Sequence, residues 1–225
     1  MALDRVLIFA RRPSARAGAG RLSPPLPLGE AAAVYEACLR DVVALAARER
    51  ARIEIWYEES RRAREYFAAA FPHLPRVRQV PGPLGDRLHD AFAWSFADEA
   101  ERVLVLGSEA PALPAGVLGA ALDALREADV VLGPARAGGH YLVGVRRAAW
   151  PKAAELFRGL PWTGPDALRR VYEAAGEAAL ALRLLPGSYG IEGIEDLLRA
   201  RQDLPPSSHL GRWLASRAAR RFLGA

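Results

Sequence analysis

A single carboxylate, Glu109, follows directly on an apolar run in the stretch VLVLGSEAPALP, residues 103–114. Pro111 and Pro114 restrict the backbone behind it. If residues 102–106 form a strand of a parallel sheet, the acid lies beyond the carboxyl end of that strand, where open α/β sheets bind their ligands. Glu109 is therefore either a carboxylate of a ligand site or a solvated loop acid.

A glycine-containing loop, AGAGR at residues 17–21, follows the first apolar segment. Gly18 and Gly20 would let backbone N–H groups approach an anion such as phosphate. The loop does not match G-x-G-x-x-G, and it lacks the lysine of a P-loop. Both a phosphate-contacting loop and a merely flexible one remain open on the residues alone.

A second glycine pair precedes a histidine in GGHY, residues 138–141. Gly138 and Gly139 would permit close approach of the backbone to a ligand, since neither carries a side chain. His140 could donate or accept a hydrogen bond to a sugar or a phosphate. The alternative is a histidine at the edge of a strand, without a ligand.

Strand-like and helical segments alternate over the first 133 residues, which predicts an α/β fold. We expect a mostly parallel, Rossmann-like central sheet with helices on both faces. The predicted strands are 6–10, 52–57, 76–80, 102–106, 129–132, 140–146 and 181–185. The predicted helices are 28–50, 60–70 (with Ser60 as N-cap), 84–97, 114–127, 152–157, 164–175, 194–200 and 210–223.

Length and composition indicate one domain rather than two. We expect residues 1–204 to form the α/β unit and residues 205–225 to add an amphipathic basic helix to the same compact body. Cys38 shares a helical face with Val34 and Val42, which predicts a small buried hydrophobe rather than a nucleophile.

The chain of 225 residues carries a net charge of +5, almost entirely from arginine. A mild positive field favours phosphate-bearing ligands. No nucleic-acid partner is expected, because no basic run interleaved with aromatic residues is present. The sequence offers no apolar run of transmembrane length and no convincing signal peptide, so we expect a cytoplasmic protein. The oligomeric state stays open, a homodimer included.

Six segments, taken together and in order, resemble the motifs of a bacterial family in the glycosyltransferase-A (GT-A) superfamily, described as glycosyltransferase-like or nucleotidyltransferase-like. The resemblance extends over about residues 5–198 and implies the GT-A fold. The segments are FARRPSARAGAGRL (9–22), QVPGPLGDRL (79–88), GSEAPALP (107–114), GPARAGGHYLVG (133–144), FRGLPWTGPDAL (157–168) and GIEGIEDL (190–197).

The resemblance implies a site for a nucleotide or nucleotide-sugar, with Mg²⁺ or Mn²⁺ bridging the diphosphate. Glu109 and Glu192 occupy the two positions that the family's motifs suggest as metal ligands. The implied nucleotide- or substrate-binding residues are Arg11, Arg12, Arg16, Arg21, Gln79, Gly82, Gly138, Gly139 and His140.

Within these motifs the chain departs from the family pattern at several positions that bear on phosphate and metal binding. Alanines stand where the family has lysines (Ala17, Ala19), and Ala137 and Gly190 replace aspartates. Both implied metal ligands are glutamates in place of aspartates, and Mg²⁺ demands near-ideal octahedral geometry. The longer side chains therefore either compensate for each other or reflect loss of catalysis.

Three functional hypotheses follow. The first is a transferase acting on a nucleotide-activated sugar, with glycosyl transfer favoured over nucleotidyl transfer to a sugar phosphate because the expected Pro-Lys pair is missing. The second is a catalytically degenerate GT-A-fold protein that binds a ligand or serves as a scaffold. The third is a basic surface binder that uses the C-terminal helix.

Overall fold

A computed structural model describes residues 4–14, 22–136 and 138–223. Its strands are β1 (Asp4–Ala10), β2 (Arg52–Tyr57), β3 (Arg76–Arg78), β4 (Arg102–Gly107), β5 (Val130–Pro134), β6 (His140–Arg146) and β7 (Leu182–Leu184). They form one seven-stranded sheet in the order β3-β2-β1-β4-β6-β5-β7.

The sheet is mostly parallel, as predicted, and β6 is the exception. It pairs antiparallel with both β4 and β5, whereas the other pairs in the sheet are parallel. Because of this reversal, β6 begins at the edge where β1, β4 and β5 end. His140 at the start of β6 therefore shares that edge with the loops that follow β1 and β4.

Helices cover both faces of the sheet, which confirms the predicted fold class. The helices are α1 (Leu28–Ala46), α2 (Ala63–Ala70), α3 (Leu84–Ala97), α4 (Val117–Ala124), α5 (Trp150–Ala153), α6 (Ala167–Glu177), α7 (Ile194–Asp203), α8 (His209–Leu214) and α9 (Arg217–Leu223). One core cluster joins the sheet to α1, α2 and α4, and the other joins it to α3, α5 and α6. Across the three described ranges, no helix combines the length and the apolarity needed to cross a membrane.

Helix α1 is buried on two sides, not on the single face that its periodicity predicts. Val42 and Leu45 pack in the core beneath the sheet, whereas Val34 and Cys38 pack in a separate cluster with the C-terminal helices. Cys38 is 1% exposed. Burial raises the pKa of its thiol well above the ordinary value, which agrees with the predicted buried hydrophobe.

The C-terminal stretch predicted as one helix over 210–223 forms two short helices instead. Helix α8 ends at Leu214, and α9 starts at Arg217. Ser216 Oγ accepts a hydrogen bond from the N–H of Ala219 (3.2 Å), which stabilises the start of the second helix. The cap starts a new helix at once, so the apolar periodicity of the sequence continues across the break between α8 and α9.

The C-terminal helices are held to α1 by polar and apolar contacts. The buried Asp41 carboxylate accepts hydrogen bonds from the N–H groups of His209 (2.7 Å) and Leu210 (2.9 Å) at the start of α8. Leu210 and Leu214 are buried in the cluster that contains Val34. The segment is therefore packed on the sheet domain.

Most of the other predicted helices differ from the observed ones by a few residues at one or both ends, and two of them differ for a visible local reason. Helix α2 begins at Ala63, because Arg62 before it adopts a left-handed conformation (φ 60°) that interrupts a helix from Ser60. Ser60 consequently does not act as the N-cap. The helix predicted over 152–157 is the short α5 followed by a 3₁₀ turn at Ala154–Phe157.

Candidate functional site

A cleft of about 670 Å³ lies at the sheet edge where β1 and β4 end and β6 begins. This volume is in the usual range for a small-molecule site. We call it the Glu109 cleft. The predicted site residues that line it are Arg11, Gln79, Glu109, Gly139, His140 and Glu192.

The centre of the cleft is an ion pair between two of these residues. Arg11, directly after β1, donates from Nη2 to Glu109 Oε1 at 2.8 Å. Burial alone would lower the pKa of Arg11, but the charge of Glu109 and hydrogen bonds to Glu109 and Tyr35 raise it. Both side chains remain about half exposed, at 48% and 44%, so a ligand in the cleft can reach them.

Tyr35 on α1 organises the backbone next to this ion pair. Its hydroxyl accepts a hydrogen bond from the Arg11 N–H (2.8 Å) and also bonds Ser108 Oγ (2.8 Å). Burial raises the pKa of Tyr35, so the hydroxyl stays neutral. Tyr35 was not predicted as a site residue, although a tyrosine within the apolar face of a predicted helix was a visible signal.

Glu192 reaches the cleft because its segment lies directly against that of Glu109. The Ile191 N–H donates to the Glu109 carbonyl oxygen (2.7 Å). Asp196 Oδ2 then accepts from the N–H groups of Glu192 (3.0 Å) and Gly193 (2.9 Å) at the start of α7. The two glutamates, more than eighty residues apart in sequence, thus line one cleft.

Gln79 is tied into the cleft floor by both ends of its amide. Its Nε2 donates to the Trp56 carbonyl oxygen (2.6 Å), and its Oε1 accepts from Arg87 Nη1 (3.0 Å). Arg87 also lies 3.7 Å from the Glu58 carboxylate. The glutamine therefore orients Arg87, which in turn lies beside Glu58 at the cleft. Neither Arg87 nor Glu58 was predicted from the sequence as a site residue.

His140 and Trp162 form an aromatic wall. The rings meet edge to face at 5.2 Å, and Trp162 also stacks on Phe157 at 4.7 Å. Burial lowers the pKa of His140 to about 4, so its imidazole is neutral near pH 7. A neutral imidazole offers one donor and one acceptor to a ligand.

Other predicted residues lie elsewhere. Gly138 packs against Pro165, whose oxygen would be 2.3 Å from an added Cβ. Arg12 lines a separate small depression with Arg61 and Arg62. Gly82 does not line the Glu109 cleft. Their roles in ligand binding stay predictions, as do those of Arg16 and Arg21, which lie outside the described residues.

The carboxylates in the cleft fit one kind of metal site. Mg²⁺ is commonly held by one or two carboxylates together with substrate phosphates. Within residues 4–14, 22–136 and 138–223, no three His, Cys, Asp or Glu side chains are grouped so that they could hold a metal ion. Since Glu109 is also paired with Arg11, the donor set suits a cation shared with a diphosphate, and not one held by protein alone.

Comparisons with known structures show that the chain has the fold of nucleotide-sugar transferases and cytidylyltransferases. A protein from Desulfovibrio desulfuricans G20, provisionally described as a nucleotide-diphospho-sugar transferase, is similar with a TM-score of 0.91, 26% identity and 99% coverage of each chain. A cytidylyltransferase from Leptospira borgpetersenii serovar Hardjo-bovis (strain JB197) has a TM-score of 0.61 and 15% identity, covering 100% of this chain and 98% of that one. A CMP:2-keto-3-deoxy-manno-octonic acid synthetase complexed with CTP has a TM-score of 0.55 and 14% identity, covering 88% and 97%.

No protein with a curated description matches the chain at a significant level. Residues 41–164, more than half of the chain, match the family described as "Uncharacterized protein conserved in bacteria (DUF2064)". The bacterial GT-A-like family indicated by the six motifs is consistent with this match and with the fold. The chain therefore belongs to the DUF2064 family.

Proposed function

We propose that the Glu109 cleft binds a nucleotide-diphosphate sugar together with Mg²⁺ or Mn²⁺ and that the protein transfers the glycosyl group to an acceptor. The observation that carries this proposal is the Arg11–Glu109 ion pair in a cleft that Glu192 also lines. A guanidinium group and two carboxylates are the groups needed to hold a diphosphate and its counter-cation.

Ligand binding then works as an exchange of partners. Arg11 turns from Glu109 to an oxygen of the diphosphate, which frees the Glu109 carboxylate. Glu109 and Glu192 would hold the divalent cation, which supplies neutralisation of charge on the leaving diphosphate. Tyr35, which Ser108 holds in place, keeps the backbone at Arg11 fixed during this exchange, because its hydroxyl accepts a hydrogen bond from the Arg11 backbone N–H.

Calorimetry with a panel of nucleoside diphosphates and their sugars, with and without Mn²⁺, tests this proposal. We expect binding that weakens at least about tenfold, or about 1.4 kcal/mol, when the cation is removed. Failure of every nucleotide to bind in the presence of cation would contradict the proposal. Product analysis separates the chemistries, since glycosyl transfer releases a nucleoside diphosphate and nucleotidyl transfer releases pyrophosphate.

A second candidate function is that of a binding protein without turnover. It is favoured by the ion pair itself, because Arg11 already neutralises the Glu109 carboxylate and occupies its Oε1. Alanines 17 and 19 also stand where the resembling family has lysines. Under this hypothesis the combined change Glu109→Asp, Ala137→Asp and Ala19→Lys creates turnover that the natural chain lacks. Turnover of any donor by the natural chain contradicts it.

A further inference from the structure

A second cleft, of about 810 Å³, is larger than the Glu109 cleft and contains a different set of charges. It lies among α1, the segment after Glu109, the segment after β7, and helices α7 and α8. Three arginines line it, namely Arg48, Arg136 and Arg199. We call it the arginine cleft.

The carboxylates in this cleft already have other partners. Asp41 accepts from two backbone N–H groups at the start of α8. Asp203 Oδ2 accepts a hydrogen bond from the Tyr189 hydroxyl at 2.6 Å. Neither acid forms a salt bridge with the three arginines, although all five side chains line the same cleft.

The three guanidinium groups have no hydrogen bond or ion pair with any of the residues that the structure describes. Arg199 lies over the Tyr189 ring at 5.4 Å, which fixes its position without satisfying its N–H donors. Arg136 is placed by its backbone N–H, which donates to the Ser188 carbonyl oxygen (3.0 Å). The donors of both side chains are therefore available to a ligand.

The arginine cleft is connected to the candidate site. A depression of about 550 Å³ shares Arg136 and Tyr189 with the arginine cleft, and Glu192 also lines it. Glu192 in turn lines the Glu109 cleft. A molecule held by the arginines can thus extend along the surface toward the place proposed for glycosyl transfer.

We propose that the arginine cleft binds the phosphate group of a phosphorylated acceptor substrate. This inference rests on the proposed function for its second half, that the bound molecule is an acceptor. A guanidinium group can form a pair of hydrogen bonds with two phosphate oxygens. Three such cations match a phosphate dianion better than they match a ligand with a single carboxylate. The acceptor's phosphate is anchored away from the reaction, so that a hydroxyl on the same molecule faces the Glu109 cleft.

The test uses the full chain with glycerol 3-phosphate as the probe for binding by calorimetry. The Arg136→Ala/Arg199→Ala variant should bind the probe at least about tenfold more weakly than the natural chain, because two of three phosphate partners are lost. The matched control Arg170→Ala/Arg201→Ala removes the same charge from exposed positions outside the cleft, and it should bind as the natural chain does.

Phosphate can also be carried by a lipid, and a second arm distinguishes that source. Vesicles containing phosphatidic acid are tested for retention of the natural chain and of the same two double variants. Loss of retention only in Arg136→Ala/Arg199→Ala assigns the cleft to lipid-borne phosphate. Loss of glycerol 3-phosphate binding without an effect on vesicles assigns it to a free phosphorylated acceptor.

The inference is overturned if the natural chain binds neither probe, or if Arg136→Ala/Arg199→Ala binds them unchanged. Should that variant fail to fold by circular dichroism, the single variant of the exposed Arg136 decides in its place. Nucleotide binding is measured on the same variants and should be unaffected. If phosphate binds the arginine cleft but no nucleotide binds the chain, the proposed function fails while the phosphate site stands.

Discussion

At the scale of single residues, the Arg11–Glu109 pair determines which charges the Glu109 cleft presents to a ligand. The two charges neutralise each other, and an exposed pair of this kind contributes about 1 kcal/mol or less to stability. Under the proposed function, a nucleoside diphosphate that takes Arg11 would therefore displace only a weak interaction. The pair holds both groups in the cleft at little energetic cost to ligand binding.

Replacing Glu109→Gln should remove most of the cation dependence of nucleotide binding. We expect at least about a tenfold loss of affinity in the presence of Mn²⁺, because the amide is a poor metal ligand and carries no charge. The free energy of unfolding should change by less than about 1 kcal/mol. Calorimetry and urea unfolding measure the two effects.

The matched control is Glu155→Gln, which removes an exposed carboxylate 3.6 Å from Arg158 outside the Glu109 cleft. It should leave nucleotide affinity unchanged. Equal affinity losses in the two variants would show that net charge, and not the position of Glu109, controls binding.

His140 should make stability depend on pH in acid. Its pKa is about 4 in the folded chain and 6.5 when unperturbed, so the unfolded chain binds more protons between these values. The contribution of the neutral imidazole is fully present above pH 6.5. This contribution to the free energy of unfolding is lost as the pH falls from 6.5 toward 4, by up to about 1.4 kcal/mol per pH unit.

Urea unfolding of the natural chain and of His140→Gln at about pH 7 and about pH 4.5 checks this expectation. The natural chain should lose more stability than the variant between the two conditions. His73→Gln, at an exposed position, serves as the control. An identical pH dependence of the natural chain and His140→Gln would refute the burial argument.

At the scale of elements, the β5–β6 hairpin depends on a close approach at Gly133. The Tyr141 ring lies across this glycine, so that an added Cβ would be 2.4 Å from its nearest ring atom. The tyrosine hydroxyl donates to the Pro186 carbonyl oxygen (3.0 Å), which limits how far the ring can move.

Gly133→Ala should accordingly lower the free energy of unfolding by about 1–3 kcal/mol, the usual cost of overpacking a core. Gly176→Ala is the control, because nothing lies within 4 Å of its added Cβ and the position is helical. That substitution should stabilise the protein by about 0.5–1 kcal/mol. Thermal or urea unfolding measures both changes, and a neutral Gly133→Ala would contradict the packing described.

Elements with strong local patterns were predictable from sequence. The bounds of β2 and α3 agree with the predicted ones, since alternation and helical periodicity are properties of consecutive residues. The direction of β6 in the sheet was not predictable, because alternating apolar and polar residues suit a parallel and an antiparallel strand equally. The break between α8 and α9 was missed because Ser216 acts through a local cap while apolar spacing continues across it.

The candidate site was predictable where loops follow strands. Arg11, Glu109 and Glu192 line one cleft because strand ends meet at one sheet edge. The role of Tyr35 beside Arg11 could not be predicted from the sequence, because its contact with Ser108 depends on how α1 packs against the sheet. The arginine cleft was missed for the same reason, as its three arginines come from distant segments.

At the scale of the whole molecule, the C-terminal helices are packed against α1. Removing residues 208–225 would expose the side chains and helix surface that Leu210 and Leu214 now cover. We expect a loss of about 3 kcal/mol or more, since each buried leucine contributes about 1.5–3 kcal/mol. The melting temperature of the truncated chain, measured against the full chain, tests this; an unchanged value would show that the segment is an independent appendage.

The reversed strand β6 has a consequence for how the family can diversify. The turn between Pro134 and His140 is flanked by two paired strands, and the Ala135 N–H bonds the Gly139 carbonyl oxygen (2.9 Å) across its base. Gly138 is held in this turn by its close contact with Pro165, whereas the side chain of Arg136 is exposed. Substitution of Arg136 is therefore a route to new ligand preferences that leaves the paired strands in place.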